Sequence, residues 1–127
     1  MAVVLDSSAL IAFIKEEPGA DFVEDRLSAA IVSAVNVQEV AKKMIEAGLL
    51  LENVRRIIGE LKLDVRSHDI EDAYLAAWLA PATRRFGKGL GDRSCMALAI
   101  KLGVPAITTD RLWAQLDIPG LEVILAR

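Results

Sequence analysis

Four acidic residues stand at positions where a carboxylate could do chemistry. Asp6 directly follows the apolar run 3–5, and Asp110 directly follows the apolar segment 105–109. Glu39 and Asp92 lie near the starts of two segments with helical apolar spacing. Converging carboxylates repel one another unless they are protonated or share a cation, and such hard oxygen ligands suit Mg²⁺ or Mn²⁺. The four acids are therefore predicted to hold one or two divalent ions for phosphodiester hydrolysis, in which the ions activate a water and stabilise the leaving oxygen.

The elements that must position these acids follow from an alternation of short apolar runs with segments of helical periodicity. Strands are predicted at 3–5, 30–33, 105–109 and 121–125, and 63–66 is a plausible further strand. Helices are predicted between consecutive strands, including helices at about 35–47, 50–61 and 92–102. This alternation indicates an α/β domain with a parallel sheet covered on both faces, in which ligands collect beyond the carboxyl ends of the strands. Asp6 and Asp110 are expected at that edge, with Glu39 and Asp92 beside them.

Three of the acids also have an ordinary structural explanation. Asp110 and Asp92 each stand where a helix N-cap is expected, and Glu39 lies three residues after Asn36, as in a capping box. Asp6 resists such an explanation, because a carboxylate at the end of a buried strand is costly unless it is paired or metal-bound. The four acids taken together therefore indicate a functional site more specifically than any one of them does alone.

Length and composition indicate one folded domain over 1–127. The chain has 127 residues, a mass of 13.8 kDa and 54% hydrophobic residues, so a core can form without a disulfide or a structural metal. Its net charge of −3 excludes a protein that holds nucleic acid by bulk positive charge alone. Cys95 is the single cysteine, which excludes an internal disulfide and a multi-cysteine zinc site. Without a signal-peptide pattern or a run of about 20 apolar residues, we expect a cytoplasmic protein with no membrane partner.

Four segments resemble the PIN-domain nucleases and, more narrowly, the VapC toxins of bacterial and archaeal toxin–antitoxin pairs. Three of them are the segment 4–10, which contains Asp-Ser-Ser, the segment 91–95, which contains Gly-Asp-Arg, and the segment 108–110, which is Thr-Thr-Asp; the fourth is the surroundings of Glu39. Their order and spacing match those of the family over essentially the whole chain. The resemblance implies a three-layer α/β/α PIN-like fold with a mainly parallel, roughly five-stranded sheet. It also implies a Mg²⁺- or Mn²⁺-dependent endoribonuclease that leaves 5′-phosphate and 3′-hydroxyl ends, and a small cognate antitoxin that inhibits it.

The same resemblance assigns roles to individual residues. It makes the acidic metal-binding quartet Asp6, Glu39, Asp92 and Asp110, and all four positions are filled in this sequence. Ser7 and Thr109 match neighbouring hydroxyl positions that could hydrogen-bond a carboxylate or a substrate phosphate.

Basic residues around the glycine-rich segment 87–91 are candidate contacts to an RNA backbone, namely Arg84, Arg85, Lys88 and Arg93. The alternative is a solvated helix end, and Arg93 could equally pair with an active-site acid. The glycine-rich segment lacks the ending and spacing of a Walker motif, and no strand precedes it. We therefore interpret it as a turn that borders the site.

Apolar helical faces near 11–14 and 57–61 exceed what one small core can cover. They predict a homodimer contact or a groove for an antitoxin helix. Trp78 and Trp113 also fall on apolar helical faces and are expected in the core or in an interface, and Cys95 is expected to be a small buried hydrophobe.

Two other functions remain open. One is a non-catalytic RNA- or protein-binding module with the same fold, although four carboxylates facing phosphate give an RNA binder no advantage. The other is a receiver-type signalling domain, which also carries acids at strand ends. That domain would need an acidic neighbour beside Asp6 and a lysine after the last two strands, and the sequence has neither.

Overall fold

A five-stranded parallel sheet forms the centre of the molecule. The computed structural model describes residues 1–87 and 89–127, so Lys88, one of the candidate phosphate contacts, lies outside the described residues. The strand order is β3-β2-β1-β4-β5, which confirms the predicted parallel sheet. The strands are β1 (Val3–Leu5), β2 (Ala30–Ser33), β3 (Asp64–Arg66), β4 (Ala106–Thr108) and β5 (Val123–Leu125). Because every neighbouring pair is parallel, all five carboxyl ends lie along one edge.

Helices and short 3₁₀ turns connect the strands. The α-helices are α1 (Ser7–Ile14), α2 (Ala20–Glu24), α3 (Ala34–Glu46), α4 (Leu51–Glu60), α5 (Ile70–Trp78), α6 (Ala80–Thr83) and α7 (Leu90–Leu102). The 3₁₀ turns span Leu27–Ala29, Arg84–Phe86 and Arg111–Gln115. No helix in the described part of the chain is long and apolar enough to cross a membrane.

Alternation along the strands divides the core into two layers. Val4 packs in a cluster with Leu79, Met96 and Trp113, which come from the side of α5 and α7. Its neighbours Val3 and Leu5 pack in a second cluster with residues of α1, α2 and α3, including Val23 and Val40. Successive side chains of a strand point to opposite faces, so the sheet is covered on both sides. The predicted three-layer α/β/α fold is confirmed.

The two tryptophans expected in the core or in an interface differ in burial. Trp78 is 63% exposed on α5, and Tyr74 on the same helix is 64% exposed. Leu75 and Leu79 supply the contacts with the core, because only one side of α5 faces α7. Trp113, by contrast, is fully buried, as the sequence predicts.

The helix carrying Asp92 begins earlier than its spacing predicts. The structure starts α7 at Leu90, with Gly89 in extended backbone as its N-cap, and Gly103 ends it in a left-handed conformation (φ 66°). Asp92 is therefore the third residue of α7 and not its first.

Candidate active site

The site lies at the carboxyl edge of the sheet, between the two central strands. The chain leaves β1 at Asp6, whose amide donates to the carbonyl of Ile107 on β4 at 2.9 Å. Thr108 ends β4 and its hydroxyl donates to Asp6 Oδ2 at 2.9 Å, while the amide of Asp110 donates to the same hydroxyl oxygen at 3.1 Å. Asp6 and Asp110 therefore lie on either side of one threonine side chain, as the strand ends predict.

Asp6 is almost fully buried, with 3% of its surface exposed. Its Oδ2 accepts a second hydrogen bond from Ser8 Oγ at 2.7 Å. Burial raises the pKa of Asp6 from 3.8 to about 6, the hydrogen bond from Ser8 partly offsets that rise, and the charge of Asp92 adds to it. Burial and a neighbouring negative charge thus make the ionised form of Asp6 more costly than that of an exposed aspartate.

Glu39 is held on the other side of the site by donors from α1 and α3. Ser7 Oγ donates to Glu39 Oε1 at 2.5 Å, and Asn36 Nδ2 donates to the same oxygen at 3.0 Å. Asn36 also donates to Ser7 Oγ and to the carbonyl of Gly91 at the start of α7, both at 3.0 Å. These bonds connect the first turns of three helices around one carboxylate.

The capping-box interpretation of Asn36 and Glu39 is wrong. Ser33 is the N-cap of α3, and its hydroxyl accepts a hydrogen bond from the amide of Val35 at 3.2 Å. Asn36 lies inside the first turn and is fully buried, so its side chain faces the site and not the helix end.

Asp92 and Asp110 do serve as caps. Asp92 Oδ2 accepts from the amide of Gly89 at 3.0 Å, and Asp110 Oδ1 accepts from the amide of Leu112 at 3.0 Å. Both residues are partly exposed. A carboxylate has a second oxygen and about four lone-pair sites in all, so a capping role is compatible with binding a cation.

The pKa of a buried thiol indicates that three of the acids lie near one another. Cys95 is fully buried, and burial raises its pKa well above the ordinary value, with further contributions from the charges of Asp6, Asp92 and Glu39. Three carboxylates from three elements therefore lie within electrostatic range of one side chain. The expectation that Cys95 is a buried hydrophobe is confirmed.

The donor set fits a hard divalent cation in its chemistry. The four acids offer carboxylate oxygens, which Mg²⁺ and Mn²⁺ prefer as ligands. A β-carbon at position 91 would overlap the Glu39 carboxylate, so this carboxylate packs directly on the start of α7. Over residues 1–87 and 89–127, however, no three Asp, Glu, His or Cys side chains are grouped so that they could hold a metal ion as they stand. The acids share a neighbourhood without forming a closed ligand set.

The remaining predicted residues divide between the site and the surface. Ser7 binds Glu39, whereas Thr109 reaches the site through its backbone amide, which donates to Ser8 Oγ at 3.0 Å. Arg93 follows Asp92 on α7 and is partly buried. Arg84 and Arg85 are exposed and line a surface hollow of about 470 Å³ together with Gln115 and Asp117, so this hollow includes none of the four acids.

Sequence reasoning missed Ser8, Thr108 and Asn36 as partners of the acids. A sequence signal existed for two of them, because Ser8 lies two residues after Asp6 and Thr108 is the last residue of β4. Asn36 gave a misleading signal, since its spacing from Glu39 imitates a helix cap.

A family model for the PIN domain matches residues 3–119 of this chain. The chain belongs to the PIN domain family. The searched set of curated proteins gives no match to its sequence.

Solved structures share the fold of this PIN domain at low sequence identity. A chain of the DNA-bound VapBC complex from Salmonella typhimurium superposes with a TM-score of 0.74 and 18% identity, covering 100% of this chain and 99% of that one. A chain of VapBC-1 from nontypeable Haemophilus influenzae gives a TM-score of 0.74 and 21% identity, covering 99% and 98%. A chain of VapBC2 from Rickettsia felis gives 0.73 and 14%, covering 98% of each. At these identities the likeness establishes the fold.

Proposed function

We propose that this PIN domain is a Mg²⁺- or Mn²⁺-dependent endoribonuclease and the toxin component of a toxin–antitoxin pair. The observation that carries the proposal is the grouping of Asp6, Glu39 and Asp92 around one buried position, where burial raises the pKa of Asp6 to about 6. A protein gains nothing from crowding carboxylates in this way unless a cation compensates them. Asp110, joined to Asp6 through Thr108, completes the proposed ligand quartet.

The bound cation, one ion or two, would supply a nucleophilic water at neutral pH and offset negative charge on the phosphate. The hydroxyls of Ser8 and Thr108 hold Oδ2 of Asp6, and a bound cation would favour the ionised form of this carboxyl group. Glu39 is kept at the site by Ser7 and Asn36.

The RNA substrate would be positioned by groups that flank the acids. Arg93 adjoins Asp92, and the exposed Arg84 and Arg85 offer phosphate contacts at the surface, together with the side chain of Thr109. Ser7 contributes by holding Glu39. Hydrolysis with the expected polarity leaves a 5′-phosphate and a 3′-hydroxyl.

We further propose that a groove on the α1, α3 and α4 side receives the antitoxin. An apolar hollow of about 190 Å³ is lined mainly by Ile11, Ile14, Val40, Met44 and Ile57. A second hollow of about 930 Å³ shares Ile14 and Ile57 with it and is bordered by four acids: Glu16, Glu17, Asp21 and Glu24. An amphipathic segment with apolar side chains and a basic end fits this arrangement. The solved relatives with similar folds, such as the Salmonella VapBC, are themselves complexes.

A homodimer is the second proposed assembly, with an interface on α5. Ile70, Tyr74 and Trp78 recur every four residues and are each more than 60% exposed, so they form one apolar ridge. Sedimentation of the wild type and of Tyr74→Glu would test the interface. We expect a dimer that becomes a monomer on substitution, and a monomeric wild type contradicts the proposal.

The competing function is a non-catalytic binding module. It is favoured by the absence, in the part of the chain that the structure describes, of a ready-made ligand set, and by the capping bonds of Asp92 and Asp110. Such a module would bind RNA or protein without cleaving either and would not respond to metal.

A cleavage assay separates the two functions. RNA is incubated with chelator-treated protein, before and after addition of Mg²⁺ or Mn²⁺, with Asp6→Asn as the inactive control. We expect no cleavage with chelator, recovery with metal and no recovery for the variant. RNA cleavage by the chelator-treated protein contradicts the proposed function. Binding of RNA without cleavage in any of these conditions contradicts it as well.

A further inference from the structure

Asn36 occupies an unusual position for a polar residue. It is the third residue of α3, its side chain is fully buried, and it lies one helical turn before Glu39. A buried amide must find partners for both of its ends, because an unmade hydrogen bond away from water costs about 1–3 kcal/mol.

Its amide nitrogen meets three acceptors from three elements. Nδ2 lies 3.0 Å from Ser7 Oγ, 3.0 Å from Glu39 Oε1 and 3.0 Å from the Gly91 carbonyl oxygen. A carbonyl and an ionised carboxylate accept but cannot donate, so the orientation of the amide is fixed with its nitrogen toward Glu39. Two N–H groups serve three acceptors, and one of them is therefore shared.

Its amide oxygen, in contrast, has no hydrogen-bond partner among residues 1–87 and 89–127. An apolar side chain of similar size would remove this unsatisfied acceptor, but it would also take away the donors to Glu39 and the Gly91 carbonyl. The side chain is oriented so that its amide nitrogen, which faces Glu39, has hydrogen-bond partners while its amide oxygen has none among the described residues.

Gly91 fixes the other side of the same contact. A β-carbon at this position would overlap the Glu39 carboxylate, so the carboxylate packs directly on the backbone at the start of α7. Asp92 is the next residue. The Asn36 amide therefore joins Glu39 on α3 to the backbone segment that carries another acid of the proposed site.

We propose that Asn36 is a positioning residue, which fixes the Glu39 carboxylate against the start of α7 and so sets the cation affinity of the site. The inference rests on the proposed function, because it concerns the cation that the acids would bind. Partners behind a ligand orient it, and their removal typically lowers metal affinity by about 10–100-fold.

The test compares Mn²⁺ affinity with stability in two variants of Asn36. Asn36→Leu removes the donors without adding charge and roughly keeps the volume, and Asn36→Ala removes the donors and leaves no bulky side chain in their place. Calorimetric titration with Mn²⁺ is expected to show about 10–100-fold weaker binding for both. Val54→Ala is the matched control, since it opens space at a fully buried position on α4 and is expected to lower the melting temperature while leaving Mn²⁺ affinity unchanged.

A double-variant cycle identifies the route of the effect. If Asn36 acts through Glu39, then Asn36→Leu added to Glu39→Gln weakens Mn²⁺ binding by less than twofold beyond Glu39→Gln alone. If the two substitutions instead lower Mn²⁺ affinity independently, so that their fold-changes multiply in the double variant, the inference is contradicted. Wild-type Mn²⁺ affinity in both Asn36 variants contradicts it as well. If Val54→Ala lowers the affinity as much as Asn36→Leu does, the effect is general destabilisation and the inference is overturned.

The outcome also separates this inference from the proposed function. A wild-type protein that binds no Mn²⁺ contradicts both of them. A wild-type protein that binds Mn²⁺, with unaltered Asn36 variants, leaves the proposed function standing and overturns the positioning role alone.

Discussion

The two pairs of acids at this sheet edge are held in different ways. Asp6 and Glu39 accept hydrogen bonds from side chains such as Thr108 and Ser7, which are 102 and 32 residues away in the sequence. Asp92 and Asp110 accept from backbone amides within three residues, as ordinary helix caps do. The bonds to the first pair join parts of the chain that only the complete fold brings together, whereas these bonds to the second pair span a single turn. We expect the pair with long-range support to contribute more to cleavage.

The largest expected effect lies in the pair with long-range support. Asp6→Asn and Glu39→Gln each retain the shape of the side chain and remove its charge, and we expect either to lower the rate of RNA cleavage by about 10³-fold. Initial rates with Mg²⁺ present measure this loss. The control is Asp64→Asn, an exposed acid that pairs with Arg66 on the edge strand β3, and this variant should cleave at the wild-type rate. Equal rates for Asp6→Asn and wild type would end the proposed role of Asp6.

The capping pair gives a sharper experiment, because the side-chain oxygen of an asparagine can still accept the backbone hydrogen bonds that Asp92 and Asp110 accept. If Asp92 only caps α7, Asp92→Asn leaves cleavage intact. We expect instead about a 10²-fold loss from Asp92→Asn and a loss of about 10-fold from Asp110→Asn. Thermal melting of each variant should stay within about 0.5 kcal/mol of wild type, which shows that the cap is retained. Full activity in both variants would assign these two acids to capping alone.

The raised pKa of Asp6 predicts a specific pH dependence of stability. The unfolded carboxyl titrates near 3.8 and the folded one near 6, so the folded state binds more protons between these values and loses stability as pH rises through them. Above pH 6 the full cost is about 3 kcal/mol. Denaturant titrations at pH 4 and pH 7 measure it as the difference between wild type and Asp6→Asn, in which contributions from other groups, such as the ion-paired Asp72, cancel. A difference that does not change with pH would mean that the fold does not raise the pKa of Asp6.

The smallest expected effect is at the surface arginines. Arg84→Gln and Arg85→Gln should raise KM a few-fold and leave kcat unchanged, since an exposed phosphate contact positions the substrate without touching the reacting atoms. Each substitution should also lower the salt dependence of RNA binding, by roughly one unit of slope for each contact removed. A fall in kcat would place these residues nearer the reaction than their exposed positions indicate.

The hydrophobic pattern predicted the sheet well for a physical reason. A strand such as Ala30–Ser33 is buried on both faces and is therefore continuously apolar in the sequence, and the parallel order places Asp6 and Asp110 at one edge without further information. The positions of Tyr74 and Trp78 were not predictable in this way. Periodicity shows that a helix has an apolar stripe, but not whether the stripe faces the core or a surface.

The partners of the acids were the hardest part of the site to predict. The contact from Asn36 to Gly91 joins residues 55 positions apart and depends on how α3 packs against α7. Local spacing predicted a capping box for Asn36 and Glu39, because the spacing of residues in the sequence does not show how two distant helices pack. Residue types therefore identified the acids, whereas their support required the folded chain.

The most direct test of the central claim is to locate the cation itself. Crystals of the wild-type protein grown with Mn²⁺ would be measured at a wavelength where manganese scatters anomalously. We expect a peak within about 2–2.5 Å of carboxylate oxygens from both Asp6 and Glu39, with Asp92 adjusted to complete the site. Full occupancy of Mn²⁺ away from these two acids, or no peak at a concentration that supports RNA cleavage, would contradict the claim.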